Sequence, residues 1–236
     1  MIPGGLQSGL IALVPMRHHS ERVTGKNYRR MAGKPLYAHI LDTLLSCRAI
    51  TQIAVDTDSP VIAEGIAGDY PQVVLIDRPL RLRGDEIPMN EILLHDASVI
   101  PSPFYLQTHS TNPLLRPDTV SRAIADFIES YPAHDALFSV TRLQKRLWDA
   151  AGRPVNHDPE ILLRTQELAP LFEENSCLYI LEREAFLARR NRLASRPRMF
   201  EIPALEAFDI DEEADFSLVE ALMARRVAAD QKREAP

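Results

Sequence analysis

The apolar run Leu10-Ile11-Ala12-Leu13-Val14, the polar run Arg17-His18-His19-Ser20-Glu21-Arg22-Val23-Thr24-Gly25-Lys26 and the segment Ala32-Gly33-Lys34-Pro35-Leu36 decide the fold by their order. A continuous apolar run reads as a strand buried on both faces. The polar run is then a long loop carrying three cations, Arg17, Arg22 and Lys26. Residues 34–47 read as a helix, with Leu36, Ile40, Leu41, Leu44 and Leu45 on one face and Pro35 at an early helical position. Strand, loop and helix in this order make the first unit of an α/β sheet. The loop falls at the carboxyl end of the strand, where open α/β sheets bind ligands. Its cations suit phosphate, Arg as a bidentate fork and Lys as a point charge, and backbone N–H groups near Ser20 can add donors. Ordinary solvated surface charge is the competing reading of the same residues. The loop is neither a P-loop, since G-x-x-x-x-G-K-[ST] is absent, nor a dinucleotide fingerprint, since only Gly25 lies in it.

The same rhythm continues outward. Strands are expected over 10–16, 52–55, 73–76, 104–109 and 135–141, alternating with helices over 60–67, 87–99 and 118–130. That alternation predicts a mostly parallel sheet covered by helices on both faces. Residues 142–174 break the pattern, being rich in Pro, Arg and polar residues with one apolar patch at 161–163, and read as an extended arm. Strands at 178–181 and 199–202 and a final helix over 212–225, burying Phe216, Val219, Leu222 and Met223, complete the reading. Residues 1–9 and 227–236 are expected to be flexible tails.

The bulk numbers bound the function. A chain of 236 residues with 45% hydrophobic content supports one sizeable core. A formal charge of −6 argues against a general nucleic-acid binder, though not against a local basic pocket. The two cysteines, Cys47 and Cys177, sit in apolar contexts and read as buried thiols of a cytoplasmic protein. No apolar run reaches membrane-spanning length, so no membrane partner is expected.

Further clusters lie at predicted strand ends. Asp209 and Asp211 stand at i and i+2 in Phe208-Asp209-Ile210-Asp211. On a strand end they would point to one side and could share a hard cation such as Mg²⁺; alternatively Asp211 caps the following helix. Asp56-Thr57-Asp58 and His109-Ser110-Thr111-Asn112-Pro113-Leu114 end the second and fourth strands, with Asp58-Ser59-Pro60 reading as a cap followed by Pro at the first helical position. Asn175 precedes a late strand and reads either as a hydroxyl reader or as a turn residue. His39 and His95 read as helical histidines without partners, and no Ser/His/Asp order or zinc set stands out.

Together these segments resemble the acylneuraminate cytidylyltransferase family, which includes CMP-sialic acid synthetases and is related to CMP-Kdo synthetases. The resemblance rests on Val14-Pro15-x-Arg17-x-x-Ser20-x-x-x-x-Gly25-Lys26-Asn27, Ala32-Gly33-Lys34-Pro35-Leu36, Val55-Asp56-Thr57-Asp58, Arg78-Pro79 with Gly84-Asp85, and Thr111-x-Pro113-Leu114. It continues through Asp135-Ala136-Leu137-Phe138-Ser139-Val140, Arg164-Thr165-Gln166-Glu167-Leu168, Asn175-Ser176-Cys177-Leu178-Tyr179 and Asp209-Ile210-Asp211. It implies a Rossmann-like three-layer α/β/α fold with a mostly parallel sheet, as a single nucleotidyltransferase domain over 10–226. It also implies a homodimer in which an arm, here 142–174, borders the partner's site.

The implied reaction is transfer of CMP from CTP to the anomeric hydroxyl of a nonulosonic sugar acid, with release of pyrophosphate and Mg²⁺ as cofactor. By resemblance Arg17, Lys26 and Asp211 are catalytic, and Arg17, Ser20, Arg22, Lys26, Asn27, Asp85, His109 and Thr111 contact the nucleotide. Arg164, Gln166 and Asn175 are assigned to the sugar, and Asp209 and Asp211 to the metal. The chain departs from the family at His18 and His19, where many members carry glycines, at His109, where a Gln is usual, and at Glu173, where a basic residue is common. The acidic Glu173 is better matched to an amino-substituted nonulosonic acid than to N-acetylneuraminate. Another NTP, a Kdo-like sugar and a non-catalytic nucleotide- or sugar-binding homologue remain alternatives.

Overall fold

Period-two alternation in the first strand sets the layers. In the computed structural model, which describes residues 9–234, β1 (Leu10–Leu13) sends Leu10 and Ala12 to one face of the sheet and Ile11 and Leu13 to the other. Both faces are buried, which is why the run carries no polar residue.

Two short strands, β2 (Arg30–Met31) and β3 (Lys34–Pro35), form a small hairpin before α1 (Leu36–Leu45), so Lys34 and Pro35 precede the helix expected from 34. The chain continues through β4 (Ile50–Thr57), α2 (Pro60–Asp69), β5 (Val74–Asp77), α3 (Met89–Val99), β6 (Phe104–Thr108) and α4 (Pro117–Ser130). It ends with β7 (Ala136–Leu143), β8 (Leu171–Glu182), α5 (Arg183–Arg189), β9 (Pro197–Glu201) and α6 (Glu213–Glu234). The cap of α2 is Ser59, whose hydroxyl accepts from the Ile62 amide at 3.3 Å, with Pro60 at the first position. Asp58, just before this cap, accepts from the His18 amide at 2.7 Å.

The seven-stranded sheet has the order β5-β4-β1-β6-β8-β7-β9. All neighbours pair in parallel except at β8, which runs antiparallel to both β6 and β7. α1, α2 and α4 cover one face through Leu41, Ile62 and Phe127, while α3 and α5 cover the other through Leu93 and Phe186. The result is the three-layer, Rossmann-like α/β/α architecture expected from the sequence. The chain leaves β1 for β4 on one side and reaches β6 on the other, so the crevice beyond the β1 carboxyl end is a topological switch point.

Three further segments differ from the sequence expectation. β7 runs on through Leu143 and β8 begins at Leu171, so both ends of the expected arm are sheet, with Arg142 opposite Phe172, and only 144–170 projects. α5 was not visible in the periodicity; its signals are local, a Glu182 side chain accepting from the Ala185 amide at 2.6 Å and a left-handed Arg190 at the other end. α6 continues to Glu234, where a tail was expected from 227, because Ala, Gln, Lys, Arg and Glu in that stretch all favour helix. The expected tail over 1–8 and the last two residues lie outside the described residues. Among the described residues no helix is long and apolar enough to cross a membrane.

Candidate active site

The cationic loop is held in shape by its own polar residues. Asn27, buried, donates to the Arg17 carbonyl at 2.8 Å and accepts from the Ser110 hydroxyl at 2.7 Å, tying the loop to the end of β6. Its amide thereby places Arg17. His18 bonds Ser59 at 2.7 Å and stacks on Tyr28 at 5.3 Å, so it faces the body of the protein. Gly25 adopts a left-handed φ of 63°, and a Cβ there would lie 2.8 Å from the Tyr28 ring.

The loop then forms one wall of a cleft of about 270 Å³. Arg17, Ser20, Lys26, Asn27, Asp85, His109 and Thr111, seven of the eight residues expected at the nucleotide, line it together with Arg78. Arg17 is ion-paired with Asp85 across the cleft, both side chains being solvent-accessible. Arg22 reaches Asp211 at 2.7 Å. Lys26 donates to the Ile210 carbonyl at 2.6 Å and lies 3.8 Å from Asp211.

Asp209 and Asp211 line a second cleft of about 530 Å³ with Glu173, Glu174 and Asn175. They sit in a loop before α6 and not on a strand end as expected. Their common direction has another origin. Ile210 between them is fully buried and its amide donates to the Thr111 carbonyl at 3.1 Å. Asp211 does not cap α6; Asp215 does, accepting from the Asp211 and Glu212 amides at 3.0 and 2.8 Å. Asn175 is occupied: its amide meets Ser139, Thr141 at 2.9 Å and the Cys177 amide at 3.1 Å, holding an irregularity in the β7–β8 pairing. Arg164 and Gln166 lie in a short turn of the projecting arm, where Arg164 pairs with Glu167, and line neither cleft.

The electrostatics follow from crowding. Burial lowers the pKa of Lys26, opposed by Asp209 and Asp211. Burial raises that of Asp209, with Asp211 adding to the rise and Thr111 and Lys26 opposing it. Burial also pushes His109 down to about 4, assisted by Arg192 and Lys26, so the ring is neutral. Two neighbouring carboxylates with hard oxygen donors, one resisting ionisation beside the other, fit a divalent cation. A different set, Asp56, His95 and Asp96, also brings three ligand atoms within 4.8 Å of one another. His95 stands beside these two carboxylates without a side-chain hydrogen bond among the described residues, whereas His39 is not the partnerless helical histidine expected, since its Nε2 lies 2.9 Å from the buried Met31 carbonyl.

Sequence reasoning missed a buried polar chain beside the first cleft. Gln107 Nε2 lies 2.9 Å from His109 Nε2, Arg192 bridges Gln107 and Tyr179 at 2.9 and 2.8 Å, and Tyr179 donates to Glu174. A Gln inside the apolar run Phe104-Tyr105-Leu106-Gln107 was the available signal. Arg192, in a loop after α5, had none.

A protein-family model described as cytidylyltransferase matches residues 11–234. The chain belongs to the cytidylyltransferase family. Within it, this cytidylyltransferase is 29% identical to 2-C-methyl-D-erythritol 4-phosphate cytidylyltransferase of Frankia casuarinae, over 95% of this chain and 85% of the relative. It is 25% identical to CMP-N,N'-diacetyllegionaminic acid synthase of Legionella pneumophila, over 91% and 96% of the two chains. Among solved structures it is similar in fold to CMP:2-keto-3-deoxy-manno-octonic acid synthetase complexed with CTP, with a TM-score of 0.70 at 18% identity, covering 93% of this chain and all of that one. The acylneuraminate branch suggested by the motifs is thus one of several branches this cytidylyltransferase resembles.

Proposed function

We propose that this cytidylyltransferase moves CMP from CTP to the anomeric hydroxyl of a nonulosonic or Kdo-like sugar acid, releasing pyrophosphate, as a homodimer that uses Mg²⁺. The observation that carries the reading is the meeting of the two clefts at Lys26 and Asp211. It sets a cationic wall against paired carboxylates, the arrangement a triphosphate and its metal require.

Arg17 and Arg22 are ion-paired with Asp85 and Asp211, and would exchange these carboxylates for phosphate oxygens as CTP enters. The acceptor hydroxyl oxygen attacks the α-phosphorus and forms a new P–O bond as the bond to pyrophosphate breaks, its proton being released to solvent. Charge builds on the leaving group, where Arg17 and Lys26 offset it. Asp209 and Asp211 would hold the divalent cation, which supplies charge neutralisation at the α-phosphate. Burial of Lys26 keeps its ammonium poorly hydrated, which strengthens its attraction for phosphate.

The second cleft, with Glu173, Glu174, Asp209, Asp211 and Asp215 along it, suits an amino-substituted acceptor. The Legionella relative, named for a diacetylated legionaminic acid, agrees with a nonulosonic acceptor, whereas the Frankia relative, named for a sugar-alcohol phosphate, supports a phosphorylated polyol as second reading. Pyrophosphate release over a matrix of four NTPs and acceptors (nonulosonic acids, Kdo, methylerythritol phosphate) tests both. The expected result is turnover with CTP and a sugar acid, lost in Arg17→Ala and Asp211→Ala. CTP binding without turnover on any acceptor would overturn the proposal in favour of a binding homologue.

A further inference from the structure

We propose that Arg192 is a positioning residue that fixes the tautomer of His109, so that this imidazole faces the first cleft as a neutral hydrogen-bond donor through Nδ1. The inference rests on the reading that this cleft receives the nucleotide; the tautomer itself does not depend on it.

The argument is one of donor and acceptor arithmetic. Gln107 is fully buried on β6, directly opposite Tyr179 on β8. Arg192 Nη1 donates to Gln107 Oε1 at 2.9 Å. A guanidinium has donors and no acceptor, so the Gln107 amide cannot turn over without setting its NH₂ against a cation. Gln107 Nε2 must therefore face His109 Nε2, 2.9 Å away. An amide NH₂ only donates, so His109 Nε2 must accept, and the one proton of the neutral ring sits on Nδ1. Among the described residues Nδ1 has no hydrogen-bond partner, and His109 lines the cleft.

Arg192 is itself held. Its guanidinium lies 3.7 Å over the Tyr179 ring, Nη2 donates to the Tyr179 hydroxyl at 2.8 Å, and its own amide donates to Asn90 at 3.1 Å. Tyr179 in turn donates to Glu174, which stands 3.9 Å from Arg192 and opens onto the second cleft. The charged groups acting on His109 are Arg192 and Lys26, both cationic, and both disfavour an imidazolium.

Two consequences follow. His109 is not one of the phosphate-gripping cations, and its Nε2 lone pair is already taken, so it cannot serve as a base through that atom. What it offers is a single donor, suited to an acceptor oxygen or ring nitrogen on the bound ligand, such as those of a pyrimidine.

The test is ¹⁵N imidazole NMR of the full chain without substrate, with the His109 signals assigned by their loss in His109→Gln. The expected spectrum at pH 7 shows a protonated Nδ1 and an unprotonated Nε2. Arg192→Met should release the Gln107 amide and give mixed tautomers, and Arg192→Lys, which still donates to Gln107 Oε1, should restore the Nδ1–H form. Should Arg192→Met not fold, Gln107→Met removes the donor to Nε2 and is expected to shift the proton to that atom. An Nε2–H ring or an imidazolium in the unaltered protein at pH 7 overturns the proposal, as does an unchanged Nδ1–H form in folded Arg192→Met or, where that variant does not fold, in Gln107→Met. Because the readout needs no substrate, failure of cytidylyl transfer would leave this result standing, and the reverse also holds.

Discussion

Lys26 Nζ lies 2.6 Å from the Ile210 carbonyl and 3.8 Å from Asp211, and so stands at the junction between the cationic cleft and the carboxylate-lined one. The two residues are 185 positions apart in sequence, and only the packing of Ile210 beneath α6 brings them together. Replacing Lys26 by Met removes the point charge while Arg22 still neutralises Asp211. The expected loss in kcat is about 100- to 1,000-fold, the usual range for removing one transition-state donor. Steady-state pyrophosphate release measures it, and an unchanged kcat would remove Lys26 from the mechanism.

Asn27 acts at one remove. Asn27→Ala leaves the Arg17 carbonyl and the Ser110 hydroxyl without their partner. A buried polar group left unsatisfied costs about 1–3 kcal/mol, so thermal melting should shift down by several degrees. The KM for CTP should rise more than kcat falls, because the loop that carries Arg17 is loosened while its charge is kept. A variant with lowered stability and an unaltered KM would show that the clamp is structural only.

Asp96 makes stability depend on pH. Asp96 and Asp56 are buried, and among the described residues three of their four carboxylate oxygens lack a hydrogen-bond partner, only Asp56 Oδ1 being paired, with Arg78. Burial, then the Asp56 charge, raises the pKa of Asp96 to about 9. An unfolded Asp titrates near pH 4. Between these values the folded state holds a proton that the unfolded state has released, so this group's contribution to stability falls as pH rises from about 4 to about 9 and is level above. Asp96→Asn keeps the shape and removes the titration. Its melting temperature should exceed that of the unaltered protein by more at pH 8 than at pH 5; parallel curves would refute a proton held on folded Asp96.

The arm tests the oligomer. Ile161, Leu162 and Leu163 are 56%, 86% and 41% exposed, an apolar run that water would be expected to disfavour in an isolated chain. If the arm seats on a second copy, Leu162→Asp should convert a dimer to a monomer in light scattering while leaving the circular dichroism and melting of the monomer unit intact. A dimer that survives this change would place the interface elsewhere.

Legibility tracked the range of the interactions. The run over 10–14 and the amphipathic segments beginning at Leu36 and Asp118 were readable because alternation and helical periodicity are local consequences of burial on one face or two. α5 escapes the sequence because seven residues carry too little periodicity to outweigh their neighbours and its cap, Glu182, is not a residue type that marks helix starts. Asn27 and Asn175 line the two clefts, and part of each amide also bonds protein, Arg17 and Ser110 for the first and Ser139, Thr141 and Cys177 for the second. Hydrogen-bond capacity is finite, and sequence does not show where it is used.

By itself, the sequence determined the layered α/β fold and the location of a cationic loop at the end of β1, since hydrophobic pattern and charge are properties of neighbouring residues. Tertiary structure alone decided which carboxylates meet that loop: Asp85 at Arg17, and Asp211 at Arg22 and Lys26. It also decided the state of His109, which depends on a Gln two residues away and an Arg from a distant loop. Charge strength and proton position are set by what lies within a few ångströms, and folding chooses those neighbours from the whole length of the chain.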